Sequence, residues 1–278
     1  MGSKDMEISF TKMQGCGNDF IFLDCLKKDI PNLGAIAGKL CDRRFGIGAD
    51  QLLTIHPSKV ADFKMEIYNA DGSQVEMCGN GIRCFAKYVY DHGITQKREL
   101  EVETLAGIIR PRMVGELVEV DMGEPILEGR KIPVDADGQI INRPLTVDDA
   151  TYQVTCVSMG NPHCVLYLDA IDSLDLEKIG PRFEHHPFFP KRVNTEFVKI
   201  VSPKEVRMRV WERGAGETWA CGTGASAVGV AGAISDRTER EVTIHVKGGD
   251  LLIDWRDNNR VYMTGGAEEV FHGMVKIN

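Results

Sequence analysis

At 278 residues the chain has room for two domains, each with its own core, and 43% hydrophobic with 27% charged residues is the balance of a soluble globular protein. A formal net charge of −8 with no Lys/Arg run argues against a nucleic-acid partner, and no apolar run approaches the ~18 residues of a membrane span. Met1–Asp5 is short and polar, so no signal peptide is read; Met6 is a second candidate start, with residues 1–5 then a non-native extension. Eight cysteines without a signal peptide point to reduced thiols in the cytoplasm. No Cys-x-x-Cys pair or His cluster is present, so no metal site is expected. Cys25, Cys41, Cys84, Cys156 and Cys164 read as small buried hydrophobes.

In chain order, strand-like runs come first, Ile8–Met13 and Phe20–Asp24. A short helix follows at Leu33–Cys41, then an alternating strand at Phe63–Tyr68. A polar, Gly-rich loop leads to a longer helix from about Asn80 to His92, ended by Gly93. Strands Glu99–Glu103, Gly107–Arg112 and Leu117–Asp121 close this half. Pro125–Thr151 reads as an extended connection carrying a hairpin. The plan then repeats: strands Tyr152–Val157 and Cys164–Leu168, a helix at Leu174–Phe183, a strand at Val206–Trp211, and a helix from Thr223 to Ile234.

The repeat has a fixed offset. Met77-Cys78-Gly79-Asn80-Gly81 and Ala220-Cys221-Gly222-Thr223-Gly224 lie 221 − 78 = 143 residues apart, and the same shift pairs Gly17-Asn18 with Gly160-Asn161, Gln51 with Asn194, and Tyr68 with Trp211. Such a period is far too long for a solenoid. It predicts an α+β fold of two pseudo-symmetric domains from an internal duplication, each a mixed sheet wrapped around a central helix. Residues 1–122 plus 267–278 would carry Cys78, residues 123–266 would carry Cys221, and the active site would lie in the cleft between them.

Each cysteine sits at a predicted helix N-terminus, where free N–H groups and the helix dipole favour negative charge. A thiol of ordinary pKa ~8.5 would become more acidic there. The flanking glycines let a ligand approach the backbone, and the same N–H groups can hold a carboxylate. The bland reading is a pair of buried capping cysteines, or a disulfide between them. Gly222-x-Gly224-x-x-Ala227 fits a dinucleotide fingerprint only weakly, because ten residues separate it from the preceding strand. Asn18, Gln51, Asn69, Asn161 and Asn194 offer amides, and Glu212-Arg213 a pair able to hold an ammonium and a carboxylate; each asparagine is also a common turn residue, Asn69 in particular. His163 could tune a thiol or be a satisfied loop histidine. Two like acid–base groups facing one carbon describe a two-base racemase or epimerase, in which one thiolate removes the α-proton and the opposite thiol returns one. No lysine stands out as a pyridoxal site, so no cofactor is expected.

Gly15-Cys16-Gly17-Asn18-Asp19-Phe20, Asn69-Ala70-Asp71-Gly72-Ser73, Met77-Cys78-Gly79-Asn80-Gly81-Ile82-Arg83, Gly160-Asn161-Pro162-His163, Val193-Asn194-Thr195-Glu196-Phe197 and Glu212–Thr218 with Ala220–Gly224 together resemble diaminopimelate epimerase over nearly the whole chain. The resemblance implies interconversion of LL- and meso-2,6-diaminoheptanedioate, in lysine and peptidoglycan precursor synthesis. It implies Cys78 and Cys221 as the two bases. It implies substrate contacts from Asn18, Gln51, Asn69, Gly79, Asn80, Asn161, Asn194, Glu212, Arg213, Gly222 and Thr223, with His163 and Glu212 tuning the thiols. It also implies a homodimer, with Phe271 standing where many members have an interface Tyr, and Cys16 standing where the family usually has Ala. The alternatives are a proline racemase-like enzyme, a phenazine-type isomerase of similar fold, against which the cysteine pair counts, and a redox scaffold joined through Cys78 and Cys221.

Overall fold

A computed structural model describes residues 6–277; residues 1–5, on which the alternative start turns, and residue 278 lie outside the described residues. The first half runs β1 (Met6–Gly15), β2 (Asn18–Asp24), α1 (Leu33–Leu40), β3 (Gln51–His56), β4 (Phe63–Asn69), β5 (Gln74–Val75), α2 (Gly79–Asp91), β6 (Val102–Thr104), β7 (Gly107–Ile109), β8 (Pro111–Val114) and β9 (Leu117–Asp121). The rest runs β10 (Arg143–Val147), β11 (Ala150–Ser158), β12 (Pro162–Tyr167), α3 (Leu176–Glu184), β13 (Asn194–Ser202), β14 (Glu205–Glu212), β15 (Gly216–Thr218), α4 (Gly222–Ile234), β16 (Glu241–Val246), β17 (Gly249–Trp255), β18 (Val261–Gly265) and β19 (Glu268–Ile277). The chain forms two compact units, one of residues up to Val120 together with those from Gly265 onward, the other Asp121–Thr264.

In unit 1 the sheet order is β19-β1-β2-β3-β4-β6-β7, with β5 on β4. β2 runs parallel to β3 and β4 parallel to β6, while β1–β2 and β3–β4 are antiparallel. Unit 2 repeats this plan: β11–β12 and β13–β14 are antiparallel, β12–β13 and β14–β16 parallel, and β15 lies on β14. Its outer partner for β11 is β10, in the place β19 takes beside β1. β8 and β9 form an antiparallel hairpin.

α4 shows what each sheet packs around. Its sequence, GTGASAVGVAGAI, is small and apolar on every side, so it has no solvent face to offer. β11, β12, β13, β16 and β17 all contact it. α2 is likewise contacted by β1, β3, β8 and β19, with Ile82, Phe85 and Val89 fully buried. A second core in each unit packs the outer helix. Ile21, Leu33, Ile36, Leu40 and Leu52 form it in unit 1. Leu166, Leu176, Phe183, Phe197 and Trp211 form it in unit 2. Full burial of each such side chain contributes about 1.5–3 kcal/mol.

Three features of the fold go beyond the reading from sequence. β3 and β13 fall outside the strand pattern read from the sequence: Leu52–Ile55 and Asn194–Val198 are buried without alternation, so no period-two signal marks them. The run Gly107–Arg112 is two strands, one paired with β6 and the other with β9. The connection Pro125–Thr151 is packed as well as extended, since Ile132, Val134, Ala136 and Ile140 join the unit 2 core. Among the described residues, no helix is long and apolar enough to cross a membrane.

Candidate active site

The parallel pairs set where the polar residues gather. In unit 1, Phe20 is opposite Gln51, and Gln51 is opposite Asn69. Asn18 therefore opens β2, Gln51 opens β3 and Asn69 closes β4 at one edge of the sheet, with Cys78 at the start of α2. In unit 2, His163 is opposite Asn194, Glu212 closes β14 and Cys221 opens α4.

Both cysteines cap their helices. Cys78 (φ −136°, ψ 119°) and Cys221 (φ −119°, ψ 109°) are extended, and each Sγ accepts the third N–H of its helix, from Gly81 and Gly224, at 3.4 Å. The sulfur stands where Ser or Asp would normally sit. None of the eight cysteines forms a disulfide; Cys78 is half-buried and Cys221 buried.

The surroundings of Cys78 are amides held by charges. Its thiol donates to Asn18 Oδ1 (3.6 Å), which also accepts from Asn80 Nδ2 (3.3 Å). Asn18 Nδ2 donates to Asp50 Oδ2 at 2.7 Å. Arg43 spans Asp19 and Asp50 (2.7 Å each), and Lys12 reaches Asp19 at 2.6 Å. Burial alone would raise the Asp19 carboxyl, but Arg43 and Lys12 bring it down to about 2. Arg83 is fully buried; it donates to Asn80 Oδ1 at 3.0 Å and to the Gly266 carbonyl at 3.2 Å. Gln51 Nε2 donates to Asn69 Oδ1 (2.9 Å), leaving Gln51 Oε1 buried with no partner among the described residues. Asn69 also opens the expected turn, closed by hydrogen bonds from Gly72 N to Asn69 O and from Asn69 N to Ser73 O.

Around Cys221 the groups are ionisable. Thr223 Oγ1 lies 3.5 Å from its sulfur. Glu212 accepts from Thr218 Oγ1 and is hydrogen-bonded to the Cys221 thiol. His163 is fully buried, with Nδ1 2.7 Å from Glu196 Oε1 and Nε2 2.9 Å from Asn161 Oδ1. Asn194 donates to the Pro162 carbonyl (2.8 Å) and accepts from Arg213 N (2.9 Å), so it braces the Glu212–Arg213 corner. The structure separates the Glu212-Arg213 pair: Glu212 turns inward, while Arg213 is exposed and donates to the Lys191 carbonyl at 3.1 Å.

One expectation about chemistry reverses. Burial pushes the Cys221 thiol up, and Glu212 and then Glu196 push it further; the donors from Thr223 and Gly224 N only offset this. Cys221 is a thiol at neutral pH, because desolvation of the anion outweighs the helix terminus. Burial likewise raises the Glu212 carboxyl, against the pull of Thr218, Cys221 and His163. A carboxyl whose folded pKa exceeds its ordinary value near 4.5 stabilises the fold below that value and loses this contribution as pH rises through the folded pKa. Glu212→Gln therefore melts higher than wild type at pH 8, with the gain shrinking toward pH 5, while its turnover is lost. An unchanged melting difference across that range contradicts the assignment.

Sequence reasoning did not find Lys12, Asp19, Arg43, Asp50, Thr218 or Glu196. Glu196 and Asp50 left a signal: the 143-residue offset pairs them with Leu53 and Val193, a carboxylate against an aliphatic residue in each case.

The fold defines the class. A phenazine biosynthesis protein of Bacillus anthracis has the same duplicated α+β architecture, with a TM-score of 0.72 over 98% of this chain and 100% of that one at 16% identity. The family model for diaminopimelate epimerase matches residues 10–128 and 155–270. The diaminopimelate epimerase of Acetivibrio thermocellus is 53% identical, covering 97% of this chain and 99% of its own, and that of Moorella thermoacetica is 52% identical, covering 95% and 98%. The chain belongs to the diaminopimelate epimerase family, and it is an isomerase.

Proposed function

We propose that the chain interconverts LL- and meso-2,6-diaminoheptanedioate without a cofactor, in lysine and peptidoglycan precursor synthesis, by taking one α-carbon from opposite faces with Cys78 and Cys221. The observation that carries this reading is the matched pair of thiols, each capping a 13-residue helix through its third N–H. One sulfur acts as thiolate base and the other as thiol acid, and the roles exchange with the direction of reaction. The first-turn N–H groups of α2 and α4, at Gly79, Asn80, Gly222 and Thr223, suit a carboxylate, on which negative charge grows as the α-proton leaves. Asn18, Gln51, Asn69, Asn161 and Arg213 complete recognition of the two amino-acid heads. Asn194 acts by bracing, and Glu212 and His163 act on the Cys221 thiol.

The protein works as a cytoplasmic homodimer in this reading. β19 is an edge strand, and Val270, Phe271 and Met274 on it are 57%, 47% and 57% exposed. Apolar groups on an open edge are a liability unless covered. Phe271 packs edge-on against Phe10 at 5.8 Å, which keeps the ring in place at that surface.

The test is conversion of pure LL-diaminopimelate by the purified chain, followed by separation of stereoisomers. Appearance of the meso form up to a fixed equilibrium ratio, with no added cofactor, is the expected result. Proline racemisation without diaminopimelate conversion would favour the proline racemase-like alternative.

A further inference from the structure

Of the positions at which the two units differ around their cysteines, one pair packs directly against the Cys-Gly-x-Gly loop. In unit 1, the second glycine of the Cys-Gly-x-Gly loop packs on apolar atoms: a Cβ on Gly81 would lie 3.2 Å from Leu53 Cδ2 and 3.5 Å from Phe20 Cε1. In unit 2, a Cβ on Gly224 would lie 2.8 Å from Glu196 Oε1 and 3.3 Å from Cys221 Sγ. The positions correspond, since 20 + 143 = 163 and 53 + 143 = 196. The duplication has thus exchanged Phe20 and Leu53 for His163 and Glu196. We propose that Glu196 is a positioning residue that biases the resting enzyme toward a protonated Cys221, so that the two chemically identical cysteines already differ before substrate binds.

The geometry suits that role. Glu196 is fully buried, and its Oε1 lies beside the helix N-terminus whose N–H holds the Cys221 sulfur. A carboxylate there uses the positive end of the helix dipole, and leaves a second anion on Cys221 less favourable. His163 anchors it through the 2.7 Å contact to Nδ1, and Asn161 holds the other ring nitrogen. Glu196 Oε2 is buried with no donor among the described residues. An orphaned buried oxygen is costly, and native proteins retain such groups where they serve a purpose. The ionisable groups around this thiol are Glu196 on β13, Glu212 on β14 and His163 on β12, with the buried Cys164 thiol on β12 also in the field of Glu196. Glu212 and burial act together with Glu196. Cys78 has no counterpart of the pair, because Leu53 and Phe20 carry no charge.

This inference rests on the epimerase reading, but it can be tested without turnover. The full chain is treated with iodoacetamide across a pH series, and alkylation of each cysteine is followed by peptide mass spectrometry. Only the thiolate reacts, so the rate reports its fraction. Glu196→Gln removes the charge and keeps the shape; Glu196→Leu recreates the Leu53 environment and serves if the first variant folds poorly. In either variant, Cys221 alkylates about 10-fold faster at pH 7, its midpoint moving down by about one unit, while Cys78 keeps its wild-type rate. An unchanged or slower Cys221 rate in a folded variant overturns the proposal, as does equal acceleration of both cysteines. If wild-type chain fails to convert diaminopimelate, the epimerase reading falls, and the alkylation profile still decides what Glu196 does to Cys221.

Discussion

Cys78→Ala and Cys221→Ala each lower diaminopimelate epimerisation by about 10²- to 10⁴-fold, the contribution of a positioned acid or base. The double variant is scarcely worse than either single one, because acid and base act as a unit and the loss of one leaves the other nothing to complete. Each variant loses only the sulfur that accepts the third N–H of its helix, a cap whose removal costs about 0.5–2 kcal/mol, so both are expected to fold. Steady-state conversion of each stereoisomer by the three variants reads this directly. Near-additive losses, or one variant with wild-type turnover, would leave a single-base mechanism as the better account.

Gly180→Ala has the largest expected effect on stability. An added Cβ at that point of α3 would overlap the indole ring of Trp211. The ring has no room to move: it sits in the unit 2 core with Phe183 and Phe197, and its Nε1 donates to the buried Glu184 Oε2 at 2.8 Å. Overpacking of this kind costs about 1–3 kcal/mol. The damage reaches the site, because Glu184 Oε1 accepts from Gly214 N at 3.0 Å and Trp211 precedes Glu212. A shift of about 1 Å in a catalytic group can cost ~10²-fold in rate. Gly180→Ala is therefore expected to melt earlier and to lose turnover together. Gly266→Ala, where an added Cβ meets nothing within 4 Å, is expected to change neither. A Gly180→Ala protein with wild-type melting and turnover would show that the indole does not fix the Glu212 corner.

Much of the architecture was legible because it is written twice. The 143-residue offset marks equivalent frames, and the helices opened by Gly79 and Gly222 begin within a residue of the positions read from pattern alone. β3 and β13 were not legible, because strands buried on both faces lack alternation, and yet they carry Gln51 and Asn194. The Arg43–Asp19–Asp50 cluster was hidden for a different reason: its members are brought together by β2 and the loop before β3, and no local spacing encodes that. The acidity of the thiols was misjudged in one half. A helix N-terminus can be read from sequence, but the burial of Cys221 and the approach of Glu212 and Glu196 cannot, and these decide the sign.

The two-base assignment is tested most directly by initial turnover in D₂O, starting separately from LL- and meso-diaminopimelate, with α-deuterium measured in product and recovered substrate. Two different thiols acting on opposite faces place solvent deuterium in the product while unreacted substrate keeps its protium, in both directions. Product that retains the substrate's own α-proton, or substrate and product labelled alike from the start, would contradict it.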